Sequence, residues 1–509
     1  MGASSRENRG STAGIQPDVR RLERENERQA REIEKLREKL TDRDKKLVEA
    51  EKQIADLERQ LGLRNRNSTT SSKPPSSDGL AGEQRERGSR RKKSCRKRGG
   101  QPGHPGHWRK PVPEERVSKV VEVLPEQCIH CQKPLSRDGK AGRGPVLRHQ
   151  VTELPPIQPQ ITEYRCHRIS CLECGKETQA PLPPEVAGDF GPNLAALIAY
   201  LTVVCRMPRR VVLALLEQVL GISLSLGSVQ SNWEEAGAAV AEPCAELEKQ
   251  LPLEPVVNSD ETGYRTDGEK RWLWAFVASI FVVYKVALTR GSEVLVRLLG
   301  SVFAGTLCSD RYQAYFSYHK GSMQLCWAHF KRNILGVQEI AKTTDAERFC
   351  RDALALHARL FRLWHRFRAG PGVRYGPVTR QQLIEKSIPI QKGFFALAGR
   401  YLDSSDKDVR NLATAMFQHC EKFFVFIEKD GVEPTNNSVE RALRCAVQWR
   451  KTSFGSRSAN GEVTMARLLT VTQTCRMQNR NPIDYLNEAI RSHRLAQPAP
   501  SLLKTSGPT

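Results

Sequence analysis

The stretch VVNSDETGY, residues 256–264, sets two acids, Asp260 and Glu261, at the end of a short apolar run. The chain around it has 509 residues and a formal net charge of +23. Bare acids at a strand end in so basic a chain have three readings: a turn, a salt bridge to one of the many arginines, or a metal site. The residues that follow bear on the choice. RWLWAFVAS (271–279) and FVVYKVAL (281–288) are β-rich apolar runs separated by a short break, which predicts a hairpin. SEVLVRLLG (292–300) predicts a short helix, GTLCSD (305–310) a strand ending at Asp310, RYQAYF (311–316) a turn of helix, and MQLCWAHFKRNIL (323–335) a strand and then a helix.

Three strands, helix, strand, helix, strand is the order of a ribonuclease-H-like core. In that order Asp260 and Asp310 fall on adjacent strands, where two acids repel unless a cation lies between them. Residues 339–430 break the pattern and read as a helical insertion. EPTNNSVERALRCAVQWRKTSFGS (433–456) then predicts a helix. Glu440 has two readings there. With Asn437 as the cap it is a capping-box glutamate; on a helix beside the two strands it is a third acid for the site. Its basic neighbours Arg444, Arg450 and Lys451 suit DNA phosphates. Three carboxylates suit Mg²⁺, a hard cation that keeps waters and binds phosphate oxygens.

The composition fits an anionic partner. Charged residues make up 27% of the chain and the pI is near 9.6, a surplus that phosphate neutralisation explains and that makes DNA the expected partner. The length predicts two to four domains. The polar opening MGASSRENRGSTAG has no apolar core of a secretory leader, and the longest apolar run, Trp272 to Tyr284, is too short to cross a membrane. Fourteen cysteines read as thiols and metal ligands of a reducing compartment.

Toward the N-terminus the pattern turns modular. Val19, Asn26, Ile33, Leu40, Leu47, Ile54 and Leu61 take a positions of a heptad repeat, with Leu22, Gln29, Leu36, Arg43, Ala50 and Leu57 at d. This predicts a self-pairing coiled coil in which Asn26 fixes register. A Ser- and Pro-rich linker follows, and then Arg85–Lys110 has eleven Lys or Arg against one acid, Glu86. Within it Arg90, Arg91, Lys92, Lys93, Arg96, Lys97 and Arg98 are the candidate phosphate contacts. Two Cys-x-x-Cys knuckles, Cys128/Cys131 and Cys171/Cys174, predict a structural four-thiolate Zn²⁺ site, with His130, Cys166 and His167 as competing ligands. The Pro-punctuated stretch between the knuckles suits a β-rich ribbon. Residues 191–236 predict two or three short helices, either a helix-turn-helix or part of a plain bundle.

The chain resembles the transposases of insertion sequence family sixty-six over most of its length. The zipper, NSTTSSKPPSSD (67–78), GGQPGHPG (99–106), the two knuckles, DETGYRTDGEKRWLWAF (260–276), CSDRYQAY (308–315), CWAHFKRNI (326–334) and TNNSVERALRCAVQWRKTSFGS (435–456) carry the resemblance. NRNPIDYLNEAI (479–490) is similar to the family's short C-terminal element. One departure is Cys445, where the family often has Pro. The resemblance implies DNA cleavage and strand transfer at element ends by an acidic (DDE) triad, Asp260, Asp310 and Glu440, holding Mg²⁺ or Mn²⁺. It assigns Zn²⁺ to Cys128, Cys131, Cys171 and Cys174. It also implies homo-oligomers, small accessory proteins of the same element, and a cytoplasmic, nucleoid-associated bacterial protein without membrane contact. The alternative is a zinc-containing DNA-binding regulator, dimerised by its zipper and lacking catalysis.

The resulting organisation is a disordered 1–16, a dimerisation helix over 17–62, a flexible basic linker over 63–115, and a zinc-binding domain over 116–180. A helical region over 181–250 and an α/β ribonuclease-H-like domain with its insertion over 251–470 come next. A C-terminal element over 471–495 and a disordered tail over 496–509 complete it.

Overall fold

A computed structural model describes residues 15–64, 110–135, 146–184, 186, 188–341, 343–369 and 376–503. The basic cluster from Arg90 to Arg98, with most of the linker, lies outside the described residues. Helix α1 (Ile15–Arg64) spans 50 residues, about 75 Å at 1.5 Å per residue. Leu22, Ile33, Leu36, Leu40, Leu47, Ile54, Leu57 and Leu61 all stand exposed along it.

The two knuckles share one backbone design. Cys128 N–H bonds Lys133 O and Gln132 N–H bonds Cys128 O; Cys171 N–H bonds Lys176 O and Gly175 N–H bonds Cys171 O. Gln132 and Gly175 both take positive φ. Strands β1 (Arg168–Ser170) and β2 (Glu177–Gln179) pair antiparallel around the second knuckle. A broader ribbon does not form among the described residues: 146–167 carries no strand. Pro155, Pro156 and Pro159 strip this stretch of the N–H donors that a ladder needs.

Four helices follow: α2 (Pro192–Val203), α3 (Arg209–Leu220), α4 (Leu226–Ala239) and α5 (Ala241–Gln250). Then come β3 (Val256–Thr266), β4 (Glu269–Val277), β5 (Val282–Ala287), α6 (Glu293–Leu299), β6 (Thr306–Ser309), α7 (Gln313–Tyr318), β7 (Met323–Leu325) and α8 (Trp327–Ile340). The strands form one mixed sheet in the order β5-β4-β3-β6-β7. Its β3–β4 and β4–β5 pairs are antiparallel, and its β3–β6 and β6–β7 pairs parallel.

Strand β3 is longer than the apolar run predicts. It continues through Asp260 and Glu261 to a two-residue hairpin at Asp267 and Gly268, both at positive φ. Asp-Gly is the signature of that turn. The two acids therefore lie inside a strand, not at its end.

The insertion forms α9 (Thr344–Arg368), α10 (Arg380–Arg400), α11 (Lys407–Gln418) and α12 (Val425–Glu428). It returns to the sheet at β7, where Gln324 accepts from Phe426 N–H and donates to Phe423 O. Trp327 Nε1 also donates to Phe423 O, and its ring lies among Phe330, Phe394, Phe423 and Phe424.

After α13 (Asn437–Ser453) come α14 (Ala459–Met477) and α15 (Pro482–Arg494). Helices α2 and α4 pack on α15, and α4 also packs on α14, so the 192–239 helices belong to a bundle closed by the C-terminal pair. Helix α14 covers the sheet edge. Thr470 and Thr474 accept from the N–H groups of Tyr284 and Val282 on edge strand β5, and Gln478 donates to Ile280 O. Residues at i, i+4 and i+8 share one helix face, so three side chains stand in for a missing strand. Residues 496–503, expected as part of a disordered tail, are held in place: Leu502 is fully buried, and Tyr485 and Gln478 donate to Pro500 O and Leu502 O.

Thr470→Val keeps the shape and leaves a buried N–H unpaired. We expect a loss of about 1–3 kcal/mol in denaturant unfolding; unchanged stability would show that β5 does not depend on α14 for its edge.

Candidate active site

The parallel register of β3 with β6 runs Val256–Thr306, Val257–Leu307 and Asn258–Cys308. Two residues further along each segment stand Asp260 and Asp310, so the pairing sets these acids side by side where β6 ends. Asp260 shares a strand face with Asn258, and Glu261 shares the other with Ser259. Asp260 Oδ1 accepts from the N–H of Glu261, and Asp310 Oδ1 from the N–H of Tyr312, each at 2.9 Å.

Glu261 is committed elsewhere. Its carboxylate is fully buried, bonded to Arg290 at 2.6 Å and to Tyr315 Oη at 2.5 Å. Arg290 lies 3.7 Å over the Tyr312 ring. Of the two adjacent acids, Glu261 thus takes the salt-bridge role, and its network braces the turn that follows Asp310.

Glu440 comes from the first turns of α13. The cap is Asn436, one residue before the expected Asn437, and its side chain makes no capping bond. It donates instead to Ser259 O on β3 at 2.8 Å, while its own N–H donates to Cys326 Sγ at 3.1 Å. Glu440 is therefore not a capping-box residue. Its carboxylate accepts from Arg332 Nη2 at 2.9 and 3.1 Å and lies 3.4 Å from His329 Nδ1. That last contact is not an ion pair, because burial beside Arg332 and Arg311 holds His329 neutral, with a pKa of about 3.

Asp260 feels the charges of its neighbours. Enclosure first, then the charges of Glu261, Asp310 and Glu440, push the Asp260 carboxyl well above its ordinary range. Burial raises Asp310 as well, although Arg290, Arg311 and Arg332 oppose it. The three carboxylates do not all approach within 4.8 Å of one another; the group of potential ligands that does, among the described residues, is Cys326, His329 and Glu440. Asn258 Oδ1, Asn436 Oδ1 and His329 Nδ1 are buried without hydrogen-bond partners. Carboxylates joined by unpaired amide oxygens make a donor set suited to a hard divalent cation and its waters.

The remaining site residues fall in three places. Arg444 and Lys451 are exposed on α13 and Arg450 is half-buried beside Tyr264. Within each knuckle, peptide N–H groups lower the first thiol, Cys128 through Cys131 and His130, Cys171 through Cys174 and Glu173. The four thiols are not gathered, since no three of them lie within 4.8 Å of one another. Sequence reasoning missed Arg290, Tyr315, Arg332 and Asn436. The Cys-x-x-H spacing at 326–329 was a usable signal for the pair beside Glu440; the others are joined only by the fold.

Residues 187–464 match the family model described as Transposase IS66 family, and residues 14–110 match a family of unknown function, DUF6444. Relatives come from Sinorhizobium fredii (strain NBRC 101917 / NGR234). Uncharacterized protein y4qI is 29% identical over 46% of this chain and 45% of its own length. Uncharacterized protein y4hP is 24% identical over 75% of this chain and 73% of its own, and y4jD 23% identical over 74% and 76%. The chain thus spans under half of y4qI and about three quarters of the other two. Among the described residues no helix is long and apolar enough to cross a membrane.

Asp260 and Asp310 hold protons more tightly folded than unfolded, so stability falls as pH rises from the unfolded carboxylate range through their raised folded values. In metal-free protein, Asp260→Asn should flatten that fall and raise the melting temperature at neutral pH. Thermal scans between acid and neutral pH that superimpose on those of wild type would show that the carboxyl is fully solvated.

Proposed function

The chain belongs to the IS66 family of transposases, and on that premise we propose that it cleaves DNA at the ends of its element and joins the freed ends to target DNA. Asp260, Asp310 and Glu440 are its acidic triad. The observation that carries this reading is the β3–β6 register, which sets Asp260 and Asp310 side by side. The sheet order β5-β4-β3-β6-β7, with α13 against β3, supports a ribonuclease-H-like core.

In this reading the three carboxylates hold Mg²⁺ or Mn²⁺, which when bound supplies Lewis-acid stabilisation of the attacking and leaving oxygens. The protein's own groups do the rest. Backbone N–H bonds aim the Asp260 and Asp310 carboxylates. Arg332 orients Glu440, and neutral His329 adds no charge beside it. Arg290 and Arg311 balance the acids so that a phosphodiester can approach. On α13, Arg444, Arg450 and Lys451 neutralise phosphates along the duplex, and Arg90, Arg91, Lys92, Lys93, Arg96, Lys97 and Arg98 add a second, sequence-independent contact.

The N-terminal parts serve assembly. The exposed stripe of α1 is covered by a second copy in a coiled coil. Cys128, Cys131, Cys171 and Cys174 close on Zn²⁺. Two matched knuckles with N–H groups aimed at sulfur support that ligand set, as does the lack of a local apolar core: Val123, Ile129, Leu147, Val151, Ile161 and Leu172 are all exposed. A segment that buries so little depends on metal for its fold.

Asp310→Asn keeps the shape and removes one charge. Strand cleavage of duplexes carrying the element's terminus, with Mg²⁺ present, should fall about a thousandfold or more, while affinity for the same DNA is retained. Normal cleavage by this variant would pass the site to the regulator reading. Purified protein should hold about one zinc per chain, and a fragment spanning 15–64 should sediment as a concentration-dependent dimer; a metal-free protein, or a fragment monomeric at high micromolar concentration, would remove the corresponding part.

A further inference from the structure

Helix α13 ends in an unusual way. The residue that caps its C-terminus, Phe454, stands at φ 60° and ψ 19°, in the left-handed region. Glycine is the usual choice there, and a side chain with a Cβ costs about 1–2 kcal/mol. The ring gains no burial in return, because Phe454 is 87% exposed.

The surrounding loop is rigidly held. Gly455 follows at φ 99°, and a Cβ on it would lie 2.2 Å from Arg265 O, so only glycine allows this close approach to β3. Ser456 N–H donates to Arg265 O at 3.1 Å and Ser456 O accepts from Asp267 N–H at 2.9 Å. Its hydroxyl meets Tyr264 Oη at 2.8 Å. Two residues on, Ser458 caps α14. A strained backbone fixed by the β3–β4 hairpin on one side and a helix cap on the other presents one aromatic ring to solvent.

The neighbourhood is cationic. From Arg441 through Gly461 the sequence has five Lys or Arg and no acid. Arg441, Arg444 and Lys451 recur on one exposed face of α13, and Arg457 is exposed just beyond Phe454. Cations at helical spacing suit a phosphate backbone. A fixed, uncovered ring at the end of such a row suits the face of a nucleobase, since stacking needs a flat surface held in place.

We propose that Phe454 is a stacking platform for a base displaced from the helix of bound DNA. This rests on the DNA reading above and adds to it the residue that receives the base. Phe454 lies 14 residues beyond Glu440, about 21 Å along the helix axis. Duplex DNA lying along α13 would bring to the ring a base about six pairs from the phosphate at Glu440, taking 3.4 Å per pair.

The test uses full-length protein and duplexes of the element's terminus, with 2-aminopurine placed at successive positions out to this distance from the cleavage point. Wild type should raise the fluorescence of the analogue at one position, and Phe454→Tyr should keep that signal. Phe454→Ala and Phe454→Gly should lose it, with affinity falling about five- to hundredfold, the factor that stacking one base on an aromatic ring is worth. Phe454→Gly should also melt at a higher temperature than wild type, because glycine accepts the left-handed backbone, which separates the lost contact from a folding defect. If Phe454→Ala binds with wild-type affinity and gives the same fluorescence pattern, while wild type cleaves the terminus, the stacking role alone is overturned. If wild type neither binds nor cleaves the terminus, the DNA reading falls and this inference with it.

Discussion

One buried side chain, Asn436, joins the parts on which the site depends. Its amide donates to Ser259 O on the central strand, and its backbone N–H donates to Cys326 Sγ where β7 turns into α8. The residue is 1% exposed. Hydrogen bonds so shielded are costly to leave unmade. Through this residue the strand bearing Asp260, the corner bearing His329 and Arg332, and the helix bearing Glu440 are fixed to each other. Giving up a helix cap to do so is a local loss that the tertiary structure offsets.

Around that tie the electrostatics divide the acids by partner. Glu261 has a cation and a phenol of its own and serves as structure. Asp260 has a single backbone N–H and like charges on several sides, which raises its proton affinity. Neighbouring acids one residue apart thus differ in kind because a strand turns alternate side chains to opposite faces. Arginines 290, 311 and 332 keep the cluster from being a bare anionic hole. A basic chain therefore accommodates acids at its centre by ringing them with its own cations.

The helical insertion supports the same corner. Residues 420–426 close on β7 through Gln324, and Trp327, directly after Cys326, lies within an aromatic cluster drawn from α8, α10 and the insertion's last turns. The segment between β7 and α13 is long, but its ends are fixed at adjacent points of the sheet. By contrast the described residues of the knuckle region and α1 bury almost nothing within one chain.

The sequence alone determined the elements and their succession. Heptad spacing marks α1, Cys-x-x-Cys pairs mark the knuckles, and the alternation of β-rich runs with short helices gives the order of the sheet and the insertion, because these are local periodicities. The Asp-Gly turn that extends β3 was also legible there, and reading the apolar run alone placed the acids at a strand end. Only the tertiary structure decided what occupies Glu261, whose partners Arg290 and Tyr315 lie 29 and 54 residues away in the chain. The role of Asn436 depends on a carbonyl 177 residues distant. The exposure of Phe454 depends on the hairpin that holds Ser456. Such contacts leave no spacing in the sequence, since long-range packing, not periodicity, brings the partners together.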